Sequence, residues 1–228
     1  MEITVNSSRL IKLLTFIAII LIAIHITILG FQFYTGTSVK FELLRMFNLD
    51  MEANLPTLYS SAILFFSAFL FYLLSKVSQD KKSKDHLFWL GLSFIFTFLA
   101  FDESIKIHEA VGDLTDKLVH GSGYLNYPWV IPYAVLVLVV GLFYIRFFWR
   151  MEQKVFWSFV GAAVMYVSGA IGFELLGANE ASIHSPDTVL YSVYATTEES
   201  LEIFGVIFLI RILLNLLGEV SFKLNFRL

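Results

Sequence analysis

Residues 87–112 read LFWLGLSFIFTFLAFDESIKIHEAVG. Fifteen positions without a charge run into Asp102, Glu103, Lys106, His108 and Glu109, five ionisable side chains within eight positions. A charged side chain at the centre of a membrane helix costs about 2.5–3.5 kcal/mol on insertion scales. Groups kept there point to a site facing the inside of a bundle.

The rest of the chain supports a membrane setting. Of 228 residues, 57% are hydrophobic, 17% aromatic and only 15% charged, and the mean hydropathy is +0.75. A soluble domain carries roughly a quarter of its residues charged. Spanning the hydrocarbon core takes roughly 20 apolar residues, and six stretches fit, about 11–33, 55–76, 87–109, 129–149, 155–177 and 194–216. The first follows SSRLIK and lacks a small-residue cleavage site, so it reads as a retained helix. No repeat, heptad or linker divides the sequence. The expectation is an all-α polytopic bundle of six transmembrane helices, a single domain over residues 1–228.

A net charge of −3 offers nothing to a polyanion, which sets nucleic acid aside. The absence of cysteine excludes disulfides, thiolate metal sites and cysteine nucleophiles. Lysine and arginine are distributed unevenly. Arg9, Lys12, Lys76, Lys81, Lys82, Lys84, Arg146, Arg150, Lys154, Arg211, Lys223 and Arg227 fall in the tails and the even connections. Only Lys40, Arg45 and Lys117 fall in the odd ones. The positive-inside rule then places both termini in the cytoplasm of a cell (inner) membrane protein.

Depth follows from counting along each span at 1.5 Å per residue. Asp102 lies roughly 24 Å from the inner end of the third span, and Glu109 about 34 Å. Glu174, in GAIGFELLG, is roughly 30 Å along the fifth, and Glu202 and Glu198 are roughly 14 and 20 Å from the inner end of the sixth. Three spans therefore carry acids into one layer in the outer half. At 100° per residue, Asp102 and Glu109 share a face, Lys106 lies about 40° from Asp102, and His108 points away. Inward of this layer the sequence is apolar, as in ILFFSAFLFYLL and VLVLVVGLFYI.

Clustered carboxylates repel one another, and protons or bound divalent cations offset that repulsion. The candidate metal ligands are Asp102, Glu103, His108, Glu109, Glu174, Glu198, Glu199 and Glu202. Asp102, Glu103 and Glu202 are the candidate catalytic groups, and His25 and Lys106 are secondary. Oxygen-rich sites with one imidazole suit Fe, Mn, Mg or Ca, and zinc prefers more histidine or cysteine. Plainer readings exist for several residues. Thr196-Thr197-Glu198-Glu199 fits a capping box, although Ser185-Pro186 offers an earlier helix start. Lys106 could pair with one of Asp102 and Glu103, His25 could be a packing residue, and the phenylalanines read as lipid-facing bulk.

The D-E-x4-H-E block at 102–109, followed by G-x-E and T-x-E-E-x-x-E-x-x-G, resembles uncharacterised bacterial multipass membrane proteins over roughly residues 87–216. That resemblance implies a shared membrane bundle and no particular activity. Two Glu-x-x-His motifs, which carboxylate di-iron bundles use, are absent. The reading is a metal-dependent enzyme acting on a lipid or quinone at the outer leaflet. The alternatives are a proton- or cation-coupled transporter or channel, and an accessory subunit of a membrane complex. The sequence leaves the oligomeric state open.

Overall fold

A computed structural model describes residues 6–36 and 45–218; Lys40, Lys223 and Arg227 of the charge count lie outside them. All regular structure among the described residues is helical, and six segments are long and apolar enough to cross a membrane. In chain order these are α1 (Ser7–Thr35), α2 (Leu55–Asp80), α3 (His86–Ile105), α5 (Val130–Trp149), a fifth span over Gln153–Ile183, and α8 (Val189–Gly218). The fifth span consists of α6 (Gln153–Val167), a π-helical turn (Ser168–Phe173) and α7 (Glu174–Ile183). Between the third and fourth spans lies a short helix, α4 (Ile107–Val119).

Local chemistry sets several boundaries. Asn6 caps α1 by accepting the Arg9 N–H, and Gly36 ends it at φ 63°. Asn54 accepts the Thr57 N–H at the start of α2 while its amide donates to the carbonyls of Asn48 and Met51. One side chain thus begins the helix and folds the preceding loop.

Helices α2 and α8 form the centre. Half of the most apolar window of each is buried, against about a fifth in the other four spans. The two are packed together, α3 lies on α2, and α1 and α6 lie on α8. Phe71, Ile203, Ile210 and Leu213 are fully buried between them. The phenylalanines are not all lipid-facing bulk: Phe71, Phe147, Phe156 and Phe159 belong to the interior. Phe88 stacks on Phe147 at 4.8 Å, and Trp89 meets Phe147 edge-on at 4.9 Å, joining α3 to α5.

The close approach of the fifth span to α8 rests on two glycines. A Cβ on Gly169 would stand 2.7 Å from the Glu198 carbonyl oxygen, and one on Gly205 would stand 3.0 Å from Tyr166 N. Small residues at such crossings let helix backbones meet.

Three expectations need correction. The third span ends at Ile105, not 109, because Lys106 adopts a left-handed conformation (φ 59°, ψ 47°). The face arithmetic linking Asp102 to Glu109 and Lys106 therefore fails beyond residue 105. The third connection holds α4, and helix extends from both sides into the stretch between residues 177 and 194, to Ile183 and from Val189. Helix α8 begins at Val189, so Thr196 is no N-cap and the capping-box account of Glu198 and Glu199 falls; its hydroxyl instead donates to Ser192 O at 2.6 Å.

Gly169→Ala is expected to lower stability by about 1–3 kcal/mol through overpacking, read as a lower thermal midpoint in detergent. Gly30→Ala, with nothing within 4 Å of the added carbon, should leave the midpoint unchanged or slightly raised. Equal responses would remove the close-contact account.

Candidate functional site

At the end of α3 the chain solves a local electrostatic problem. An acid near a helix C-terminus faces the negative end of the dipole. Asp102, however, accepts the His108 N–H at 2.6 Å, in the first turn of α4. The same carboxylate thus caps a second helix from its favourable end. Glu109 adds a second acid to that first turn.

Helix α4 continues over a cavity of about 730 Å³ at this end of the bundle. Its walls come from the loop before α2 (Asp50, Glu52), α3 (Asp102, Glu103) and α4 (His108, Glu109, Asp113, Asp116). The residues before α5 add Tyr127 and Trp129, α5 adds Tyr133, and the fifth span adds Tyr166 and Glu174. Helix α8 contributes Tyr191, Glu198, Glu199 and Glu202. Eleven acidic residues line this one space, and among the described residues no lysine or arginine does.

All eight residues expected to ligate metal reach the cavity wall. Among the described residues, however, no three His, Asp or Glu side chains are grouped so as to hold one metal ion. Glu174 accepts a hydrogen bond from Trp129 Nε1 at 2.9 Å. Glu103, Glu198, Glu199 and Glu202 have no lysine, arginine or histidine within ion-pair distance among the described residues. Glu103 lies close enough to Glu199 and Glu202 to interact electrostatically with both.

The two secondary residues lie off the cavity wall. Lys106 does not pair with Asp102 or Glu103 but with Glu52 at 2.5 Å and Glu109 at 3.2 Å. His25 is buried, with Nδ1 accepting the Leu49 N–H at 3.0 Å and Nε2 facing Thr196 Oγ1 at 3.0 Å. Since Thr196 gives its own proton to Ser192, the Nε2–H donates. His25 therefore pins the loop carrying Asp50 and Glu52 to the helix carrying Glu198, Glu199 and Glu202. Ser61 donates to Ala100 O and pairs with Ser104, joining α2 to α3. His120 closes α4 at φ 51°, and His184 pairs with Glu180; neither lines the cavity.

His108 does not point away from Asp102. Its ring Nδ1 lies 3.3 Å from the Asp102 carboxylate and its Nε2 3.4 Å from Glu52. Burial works against the charged ring, but the hydrogen bond and charge of Asp102, with Glu109 and Glu174 further off, outweigh it and hold the pKa above the usual histidine value. Asp50 is open to solvent on one side and walled on the other. Burial pushes its carboxyl up to about 6, against the pull of a 3.1 Å hydrogen bond from Tyr191.

Asp50, Glu52, Asp113 and Asp116 were not singled out from the sequence. Glu109, Asp113 and Asp116 repeat at helical spacing, a signal legible only once a separate helix is recognised there. The aromatic wall carried no distinctive pattern.

A family model described as Domain of unknown function (DUF8692) matches residues 13–216. No curated protein and no solved structure matches the chain.

A folded-state histidine pKa above the unfolded value stabilises fully below about pH 6.5, and that contribution disappears as pH rises through the folded pKa. The thermal midpoint should therefore fall between pH 6.5 and 8.5, and fall less in His108→Gln. Identical falls in the two proteins would contradict the assignment.

Proposed function

We propose that this chain, which belongs to the DUF8692 family, is a multipass membrane protein whose acidic chamber binds a divalent cation. The observation that carries the reading is the lining itself, eleven acids around one cavity with no lysine or arginine among the described residues. Unpaired carboxylates in a low-dielectric wall repel one another, and a bound cation is the direct remedy. Glu103, Glu199 and Glu202, mutual electrostatic neighbours on α3 and α8, are the groups that would close around it, with Asp102, Glu174 and Glu198 beside them. As they stand, no three described acids are grouped for one ion, so binding requires their side chains to turn inward together. Oxygen donors favour magnesium, calcium, manganese or ferrous iron over zinc.

The chamber is much larger than one ion needs. Leu99, Val137, Val167 and Ile171 share its walls with the acids, which suits an amphipathic substrate with a polar head, a lipid or a quinone of the adjoining leaflet. A bound divalent ion would supply Lewis acidity to that head and a nucleophilic water near neutral pH. Asp102, Glu103 and Glu202 would orient the substrate and move protons. Transport is the competing reading, and the buried apolar block below the chamber, Ile203, Val206, Ile207, Ile210 and Leu213, argues against a through path.

Elemental analysis of protein purified without chelator should show about one divalent ion or more per chain, with Glu202→Gln and Glu199→Gln reduced several-fold. Metal near zero in the wild type, or unchanged in both variants, would overturn the proposal. Liposomes carrying the protein should show no proton or cation flux above empty ones; a flux abolished by Glu202→Gln would favour transport instead.

A further inference from the structure

At the opposite end of α3 the chemistry reverses. Lys84, Arg146 and Arg150 line an open groove between the start of α3 and the end of α5, with Asp85 as its one acid among the described residues. Asp85 is engaged by Arg150 at 2.9 Å. Lys84 and Arg146 have no ion-pair partner among the described residues. The floor is aromatic: Phe88 stacks on Phe147, and the Arg150 guanidinium lies 5.8 Å from the Phe147 ring centre. On its membrane side the groove opens onto Leu142 and Phe143, 67% and 65% exposed, which continue the lipid-facing surface of α5.

We propose that this groove binds the headgroup of an anionic phospholipid, with the phosphate held by Lys84 and Arg146 and an acyl chain lying along Leu142 and Phe143. Two independent features support that occupant. The groove has three cations to one acid, with two of the cations unpaired, and it merges with apolar surface that lipid tails already cover. A soluble anion would use only the first feature. Arginine presents a planar fork that matches phosphate oxygens, and lysine adds a mobile point charge. Basic pockets between spanning helices are suited to anionic headgroups. By the lysine and arginine bias, the leaflet concerned is the cytoplasmic one. The inference is independent of what the acidic chamber holds.

The test uses the full chain in detergent, titrated with phosphatidylglycerol or phosphatidylcholine and followed by thermal midpoint. Phosphatidylglycerol should raise the midpoint saturably and phosphatidylcholine should not. The double substitution Lys84→Gln with Arg146→Gln should weaken the phosphatidylglycerol response on the order of twentyfold, taking roughly fivefold per basic residue at the membrane surface. Lys81→Gln with Lys82→Gln, basic positions outside the groove, should leave it intact. Should the double variant fail to fold, Arg146→Gln alone decides, with about a fivefold loss expected. Equal responses to the two lipids would overturn the proposal, as would an unchanged response in the groove variants. Equal losses from the variants outside the groove, or full replacement of the lipid by inorganic phosphate, would overturn it too.

Discussion

The hydrogen bond from the His108 amide to the Asp102 carboxylate is the constraint on which the acidic end of this bundle depends. It allows α3 to stop at Ile105, takes the chain through a left-handed Lys106, and starts α4 from an occupied cap. Without it, an acid would sit unsatisfied at the negative end of one helix dipole and the next helix would begin with a bare N–H. With it, α4 runs along the chamber and adds Glu109, Asp113 and Asp116 to its wall. Lys106, freed from α3, reaches the Glu52 and Glu109 carboxylates at the edge.

Two further contacts give that wall a fixed frame. Gly169 lets the fifth span settle directly on the backbone of α8 beside Glu198 and Glu202. On the other side, His25 joins the loop of Asp50 and Glu52 to α8 through Leu49 and Thr196. Neither residue lines the chamber. Both determine where the carboxylates stand, in a region where a charge displaced toward lipid would be costly.

Much of the architecture was legible in the sequence because bilayer thickness imposes run length and hydropathy on each span. The layer shared by Asp102, Glu174 and Glu202 was legible for the same reason, since depth can be counted. The break at Lys106 was not. It depends on a lysine taking a backbone conformation that glycine or asparagine usually signals, stabilised by a carboxylate four residues earlier. Once α4 was merged with α3, the helical repeat of Glu109, Asp113 and Asp116 disappeared and His108 was placed on the wrong side. The start of α8 was obscured differently. The polar sequence ATTEES looks like a helix beginning, yet within α8 its hydroxyls bond back to carbonyls one turn earlier. Asp50 and Glu52 enter through loop folding by Asn54, which a span count does not see.

The π-helical turn at Ser168–Phe173 gives the fifth span one residue more than an α-helix would use there. Each residue of a helix advances the next by about 100°, so the extra one sets the azimuth of everything beyond it, Glu174 included. Regular α winding with every residue kept would still cross the bilayer, yet it would swing that carboxylate about a quarter-turn off the chamber, whereas deleting one residue would straighten the span and leave Glu174 near its present azimuth. The length of SGAIGF is thus a phase setting between two halves of one span. A change that unwinds the π turn without removing a residue bears on the site more heavily than most side-chain substitutions would.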